Sequence, residues 1–345
     1  MFTNYNPANV LHAFSRLLYP FTRDEALFRL KELGVLDEQN IARVREILSQ
    51  GEYSYRMLFL SLGPVKVEMD EFLRGHDFIA LRPRHALLAL EAYRAARPEL
   101  FTAAGIAGKR VLDFGASDIN PLAVAVVLVA NGAESVIAYE PAGWALDYAK
   151  VSVRELIAEM HLSPETFTLP GGDPRQLKRR LAEIPFEKLG EGDRLEMGPI
   201  TLTKQLSFEH YPSAFDAILS TSVFEHVWDV EKEIRHHASS LRPGGVSLNR
   251  IDFTDHRFFR ADCQPFGFYR DGEQYGCNLL RVTDYGEVAT KVGIGFEIKD
   301  AHLADQSVVE SMLELERFKK YDMQTLRTAS ATLVLKQRQL SRSPA

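Results

Sequence analysis

Cysteine is scarce in this 345-residue chain, where Cys263 and Cys277 are the only two. Two thiols cannot build a disulfide framework, which excludes the small stapled secreted folds and suggests a reducing compartment. Long apolar runs are missing too. The longest, Pro121 to Ala130, is far too short to cross a bilayer. The opening residues, MFTNYNPANV, lack the basic-then-apolar layout of a secretory signal. The expectation is a cytoplasmic protein without a membrane partner. Positive charge is not in excess: 41 Lys and Arg face 47 Asp and Glu, for a net charge of −6. That balance argues against a nucleic-acid partner held by a basic face. No low-complexity tract, internal repeat or H-x-x-H spacing occurs, so no metal site is expected. What remains is a globular composition, 46% hydrophobic and 26% charged, long enough for one large domain or two with a substantial core.

The strongest pattern lies between Gly108 and Pro141, GKRVLDFGASDINPLAVAVVLVANGAESVIAYEP. Arg110 to Phe114 reads as a short buried strand. It runs into Asp113-Phe114-Gly115-Ala116-Ser117, a tight turn where a residue without a side chain lets a ligand approach the backbone. Asn120 is placed as an N-cap and Pro121 at the first helical position, before a wholly apolar helix to Ala130. Asn131-Gly132 stops that helix. Ser135 to Tyr139 makes a second strand, closed by Glu140. Strand, glycine turn, buried helix, strand and terminal acid form one βαβ unit with its ligand site at the carboxyl ends of the strands. Gly115 admits a nucleoside, and Glu140 accepts its ribose hydroxyls. A dinucleotide site wants G-x-G-x-x-G, and only Gly115 is present. A cofactor without phosphates is favoured.

At these residues the chain resembles the class I S-adenosylmethionine (SAM) dependent methyltransferases. VLDFGAS is similar to their first motif and AYEP to their second, with Ser117 standing where the family usually has another glycine. FDAILSTSVFEHV and LRPGG resemble later motifs in the expected order, so the resemblance covers residues 108–255. NRIDFTDH followed by CNLLRVTDY is similar to a subgroup of bacterial small-molecule and glycan methyltransferases with an Asp-His pair and an Asn-x-x-Arg segment. The resemblance implies a Rossmann-like three-layer α/β sandwich with a seven-stranded, mostly parallel sheet that ends on an antiparallel final strand. It implies SAM as cofactor, held by Asp113, Phe114, Gly115, Ala116, Ser117, Glu140, Pro141, Ser220 and Thr221. Relatives often place an acid after the third strand for the adenine amino group. Lys204-Gln205-Leu206-Ser207 offers none, and that contact stays unassigned.

Residues 1–100 read as helical, with Thr22-x-x-Glu25 as a capping box, Asp37 before a second helix, and a further helix from Pro83 to Ala96. Two readings of this region stay open. One is a cap that helps form a substrate pocket lined by Tyr53, Tyr55 and Phe59; the other is a structural or dimerising appendage. Residues 101–340 form the SAM-binding domain, interrupted by an insertion at 161–199. Within it Pro174 to Leu189 is a short helix carrying Arg175, Lys178, Arg179 and Arg180 on a solvated face. Further strands are expected at Ile200 to Gln205, Phe215 to Ser220, Val246 to Phe253, Phe296 to Lys299 and Ala331 to Lys336. His236-His237 is placed on the solvent side of the helix after Val227.

Methyl transfer from a sulfonium is an in-line displacement with an activated leaving group, so positioning supplies much of the catalysis. A protonated acceptor also needs a base. His226, after the fourth strand, is the first candidate, and His256 in Asp252-Phe253-Thr254-Asp255-His256 the second. Asp252 and Asp255 either orient an imidazole or hold a substrate amine. Asn278 and Arg281 are candidates for a substrate carboxylate, with a surface pairing to Asp284 as the alternative. Tyr139 offers an aromatic face beside the site. Cys277 has no obvious activating partner. The function expected is methylation of a small-molecule acceptor, a natural-product or glycan precursor, in biosynthesis. Two alternatives stay open: a SAM cyclase of the same fold that forms azetidine-2-carboxylate and releases methylthioadenosine, and a non-catalytic SAM-binding subunit. The sequence does not decide the oligomeric state.

Overall fold

The computed structural model describes residues 85–117, 120–144, 146–255, 266 and 276–337. The Thr22 capping box, the helix after Asp37 and the aromatic cluster from Tyr53 to Phe59 lie outside the described residues. Eight strands form one sheet: β1 (Arg110–Phe114), β2 (Ser135–Tyr139), β3 (Arg194–Met197), β4 (Ile200–Thr203), β5 (Phe215–Thr221), β6 (Leu241–Asp252), β7 (Gly295–Leu303) and β8 (Thr328–Lys336). Their order is β3-β4-β2-β1-β5-β6-β8-β7. The run from β4 through β2, β1 and β5 to β6 is parallel. β3 is antiparallel to β4, and β8 is antiparallel to both β6 and β7.

Alternation along the strands divides the core into two layers, since successive side chains point to opposite faces. Val111, Val136, Ala138, Leu219 and Leu248 face the layer built from α1 (His85–Ala96), α2 (Ala123–Ala130), α3 (Leu146–Leu162) and α4 (Pro174–Ala182). Leu112, Phe114, Ile137, Ile218 and Ile251 face the layer built from α5 (Val230–Ser240) and α6 (Val282–Val292). All eight residues of α2 are buried. A helix apolar on every side needs cover on every side, and α2 receives it from α1, α4 and β2.

Sequence and structure differ at the two sheet edges. β3 is an eighth strand within the stretch read as an insertion, joined to β4 by a turn at Gly198, whose φ of +62° suits glycine. The final strand is antiparallel as expected, but it does not close the sheet. Thr332 to Leu335 of β8 are buried in succession, as befits an inner strand, whereas β7 is largely exposed and forms the edge. α2 starts at Ala123 with Leu122 as its N-cap, two residues later than Asn120 and Pro121 predict. His237 is buried rather than solvent-facing, because it continues the Val230–Ile234 stripe of α5 onto the sheet. Its Nδ1 lies 2.9 Å from Ser247 Oγ. Burial, then the neighbouring His236, lowers its pKa to about 3, so it is neutral.

Candidate active site

β1 lies between β2 and β5, so connections leave it in opposite directions and open a crevice at the carboxyl ends of these strands. A cavity of about 490 Å³ sits there. Its wall includes Asp113, Gly115, Ala116, Ser117, Glu140, Pro141, Thr221 and His226, each of them singled out in the sequence.

Glu140 is buried at the end of β2, where its own N–H donates to Thr203 O at 2.9 Å. Ser117 N–H donates to its Oε2 at 2.9 Å, and Ala142 N–H to its Oε1 at 3.1 Å. Each oxygen is thus aimed by one backbone amide, and a carboxylate accepts more than two hydrogen bonds. The glycine turn has a tighter reason than ligand access alone. Gly115 has a φ of +77°, and a Cβ there would lie 2.2 Å from Val223 Cγ2 on the loop after β5. Gly115 and Ala116 both donate N–H to Tyr139 O, at 2.8 and 3.0 Å, which locks the turn to β2. Ser117 carries a φ of +86°, the conformation that the family's glycine tolerates. Ser222, across the cavity, also has a positive φ, of 54°. Backbone strain of this kind gathers at functional sites.

Asp113 is 4% exposed. Burial, with Glu140 adding to it, raises its carboxyl to about 7. Thr221 Oγ1 meets the phenol of Tyr93 at 2.5 Å, tying α1 to the mouth of β5. Tyr93 is buried and stacked on Phe101, and its phenol is pushed well up, by burial first and then by Asp113. His226 ends the 3₁₀ turn Phe224–His226 and is exposed on the cavity wall. Its Nδ1 is 3.0 Å from Gly276 O. A carbonyl only accepts, so Nδ1–H is the donor in this contact.

Other predicted residues are placed elsewhere. The Phe114 ring points into the opposite core layer, 5.4 Å from the Tyr139 ring, so neither aromatic lines the cavity. Ser220 donates to Asn249 Oδ1 at 3.0 Å inside the sheet. Asn278 is a clasp: its Nδ2 donates to Phe224 O and Val227 O, both at 2.8 Å, and fixes the loop that presents His226. Arg281 is 0% exposed, so it is not a surface group. Its guanidinium donates to the carbonyls of Phe253, Thr325, Leu326 and Thr328. Asp284 instead accepts the Arg281 backbone N–H at 2.7 Å. Asp252 accepts from Thr254 N–H and Oγ1–H at 2.8 and 2.7 Å, a local turn at the end of β6. Asp255 is fully buried and His256 lies outside the described residues. Burial, with Glu225, Asp252 and Asp255 nearby, pushes the Cys277 thiol up to about 12, which removes it as a nucleophile.

Sequence reasoning missed Tyr93 and Val223. The Tyr93 signal was available as the helical spacing Ala86, Ala89, Tyr93, Ala96, which buries one face of α1. Val223 carried no local signal, because its contact with Gly115 joins loops more than a hundred residues apart in the chain.

A family model described as a methyltransferase domain matches residues 84–274, more than half of the chain. No curated protein matches it. Among solved structures, phosphoethanolamine N-methyltransferase 2 of Haemonchus contortus, with phosphomonomethylethanolamine and S-adenosylhomocysteine, is 13% identical (TM-score 0.39). The match covers 73% of this chain and 53% of that one, so the chain spans about half of that enzyme's length. An arsenic(III) SAM methyltransferase of Chlamydomonas reinhardtii is 19% identical over 67% of this chain and 63% of that one, with a TM-score of 0.36. A SAM-dependent methyltransferase of Mesorhizobium loti is 12% identical over 72% and 96%, with a TM-score of 0.37. The chain belongs to the methyltransferase domain family, whose methyl donor is S-adenosylmethionine.

Proposed function

We propose that this protein is a SAM-dependent methyltransferase acting on a small-molecule acceptor. The observation that carries the reading is the pair of buried acids, Asp113 and Glu140, on the wall of one cavity at the carboxyl ends of β1 and β2. Glu140, aimed by two backbone amides, suits the ribose hydroxyls. Asp113 supplies negative charge that suits a cationic sulfonium and ammonium better than a neutral nucleoside. A cavity of about 490 Å³ falls in the range for small-molecule sites. Bound SAM supplies an activated methyl group. His226 takes the acceptor's proton at Nε2 while Gly276 O holds Nδ1–H. Asn278, by clasping Phe224 O and Val227 O, keeps the imidazole at the wall.

The test is product analysis by mass spectrometry after incubating the full chain with SAM, with and without pooled small-molecule acceptors. S-adenosylhomocysteine that accumulates only with an acceptor supports the reading. Multiple-turnover methylthioadenosine from SAM alone replaces it with a cyclase. SAM retained without any product replaces it with a binding subunit. His226→Ala is expected to lower turnover about 10²- to 10⁴-fold while leaving thermal unfolding unchanged.

A further inference from the structure

Tyr93 is 1% exposed, yet it carries a hydroxyl where a phenylalanine would stack on Phe101 as well. Burying that hydroxyl costs free energy unless its hydrogen is met. Among the described residues its one hydrogen-bond partner is Thr221 Oγ1, at 2.5 Å. Distance alone lets either oxygen donate, and the accounting of hydrogens decides between them. The phenol keeps its proton, because burial first and then Asp113 push its pKa well up. If Thr221 donated, the phenol hydrogen would be left unmet inside the core. If Tyr93 donates, both hydrogens are served: the phenol's by Thr221 Oγ1, and the threonine's by the cavity that Thr221 lines. Native folds rarely strand a buried donor, so Tyr93 donates.

That direction fixes what the β5 side of the cavity offers a ligand. Asp113 pairs across the ladder with Ala138 of β2 and Leu219 of β5. Glu140 and Thr221 each follow those partners by two residues, so alternation sets all three side chains on one face. The two acids accept hydrogen bonds when ionised, whereas a threonine hydroxyl can accept or donate. With its oxygen engaged by Tyr93, Thr221 turns its own hydrogen away from α1 and into the cavity. We propose that Tyr93 is a positioning residue for the ligand site: it donates to Thr221 Oγ1 and so presents the Thr221 hydroxyl as a hydrogen-bond donor to a lone pair of the bound nucleoside. Tyr93 itself lies behind the cavity wall and acts only through Thr221. The proposal rests on the SAM-binding reading above and adds to that site a residue of α1.

Calorimetry with S-adenosylhomocysteine on four full-length chains tests it: wild type, Tyr93→Phe, Thr221→Val and the double variant. Tyr93→Phe keeps the stack on Phe101, and Thr221→Val keeps the shape of the side chain. Thr221→Val is expected to weaken binding about tenfold and Tyr93→Phe about two- to fivefold, the scale of one net hydrogen bond. In the Thr221→Val background Tyr93→Phe should weaken binding no further, because no hydroxyl is left to direct. Thr221→Ser, which retains a hydroxyl, should keep the sensitivity to Tyr93→Phe. A role of Tyr93 in packing alone would lower affinity by the same factor with and without the Thr221 hydroxyl, and that result overturns the proposal. Unchanged affinity in Tyr93→Phe, with the wild type binding, also overturns it and leaves the SAM-binding reading standing. A wild-type chain that binds no S-adenosylhomocysteine overturns that reading, and this proposal with it.

Discussion

The two ends of the ligand rim use polar side chains in opposite ways. At the ends of β1 and β2, Glu140 meets two backbone amides and Asp113 is buried beside it with a raised pKa. Both remain on the wall of a cavity. Beyond β6, the polar side chains are spent on the fold. Arg281 gathers four backbone carbonyls, its guanidinium 5.0 Å from the Phe253 ring and 5.4 Å from the Phe266 ring, and Asn278 gathers two. In sequence the regions look alike, each a strand end followed by acids, amides or an arginine. A donor fork fits carbonyls as readily as a carboxylate, and burial away from the cavity decides which it meets.

The largest expected effect tests the structural end. Arg281→Ala leaves the carbonyls of Phe253, Thr325, Leu326 and Thr328 to find other donors in a buried site. Unfolding free energy is expected to fall by at least about 3 kcal/mol, as each unmet buried acceptor costs about 1–3 kcal/mol. Denaturant titration measures it. If the variant unfolds like the wild type yet loses acceptor binding, Arg281 belongs to the substrate after all and the contrast between the two ends fails.

The same contrast explains how much was legible beforehand. The βαβ unit was readable because every link in it is local: Arg110–Phe114, the turn at Gly115, the apolar stretch of α2 and the acid after Tyr139 follow within about thirty residues. Glu140 and Asp113 inherit their places from that unit. The extra strand β3 was not readable, since RLEM carries no strong strand pattern and pairs only through its hairpin with β4. The partners of Arg281 at Thr325, Leu326 and Thr328 lie more than forty residues away. Nothing in the local sequence distinguishes an arginine bound for carbonyls from one bound for a ligand.

A middle-sized effect tests the cavity end. Glu140→Ala should cost about 1.5–3 kcal/mol of SAM or S-adenosylhomocysteine binding, the scale of hydrogen bonds to a charged group. Calorimetry reads it directly. Its cost to thermal stability should be well below that of Arg281→Ala, because Ser117 N–H and Ala142 N–H lie where water can replace the carboxylate. A variant that binds normally but melts early would place Glu140 with Arg281, among the groups that serve the fold.

The finest test is the pH dependence of Asp113. Its carboxyl rises from 3.8 to about 7, because burial disfavours the charged form and Glu140 adds repulsion. Below pH 3.8 the group is protonated in both folded and unfolded chains. As pH rises toward 7 the unfolded chain releases this proton while the folded one keeps it, so stability falls through that window. The steepest loss is about 1.4 kcal/mol per pH unit. Asp113→Asn removes the titration, so the variant should gain on the wild type from pH 4 to pH 8 in parallel thermal melts. A bound cation has the opposite preference and stabilises the carboxylate. SAM binding should therefore strengthen with pH up to about 7 and then level off, releasing a proton in the acid range. Calorimetry in buffers of different ionisation enthalpy counts that proton. Asp113→Asn should bind SAM more weakly at every pH and release none. If the wild type releases no proton either, the charge of the ligand is met elsewhere, and only Glu140 remains as an acid that serves the ligand.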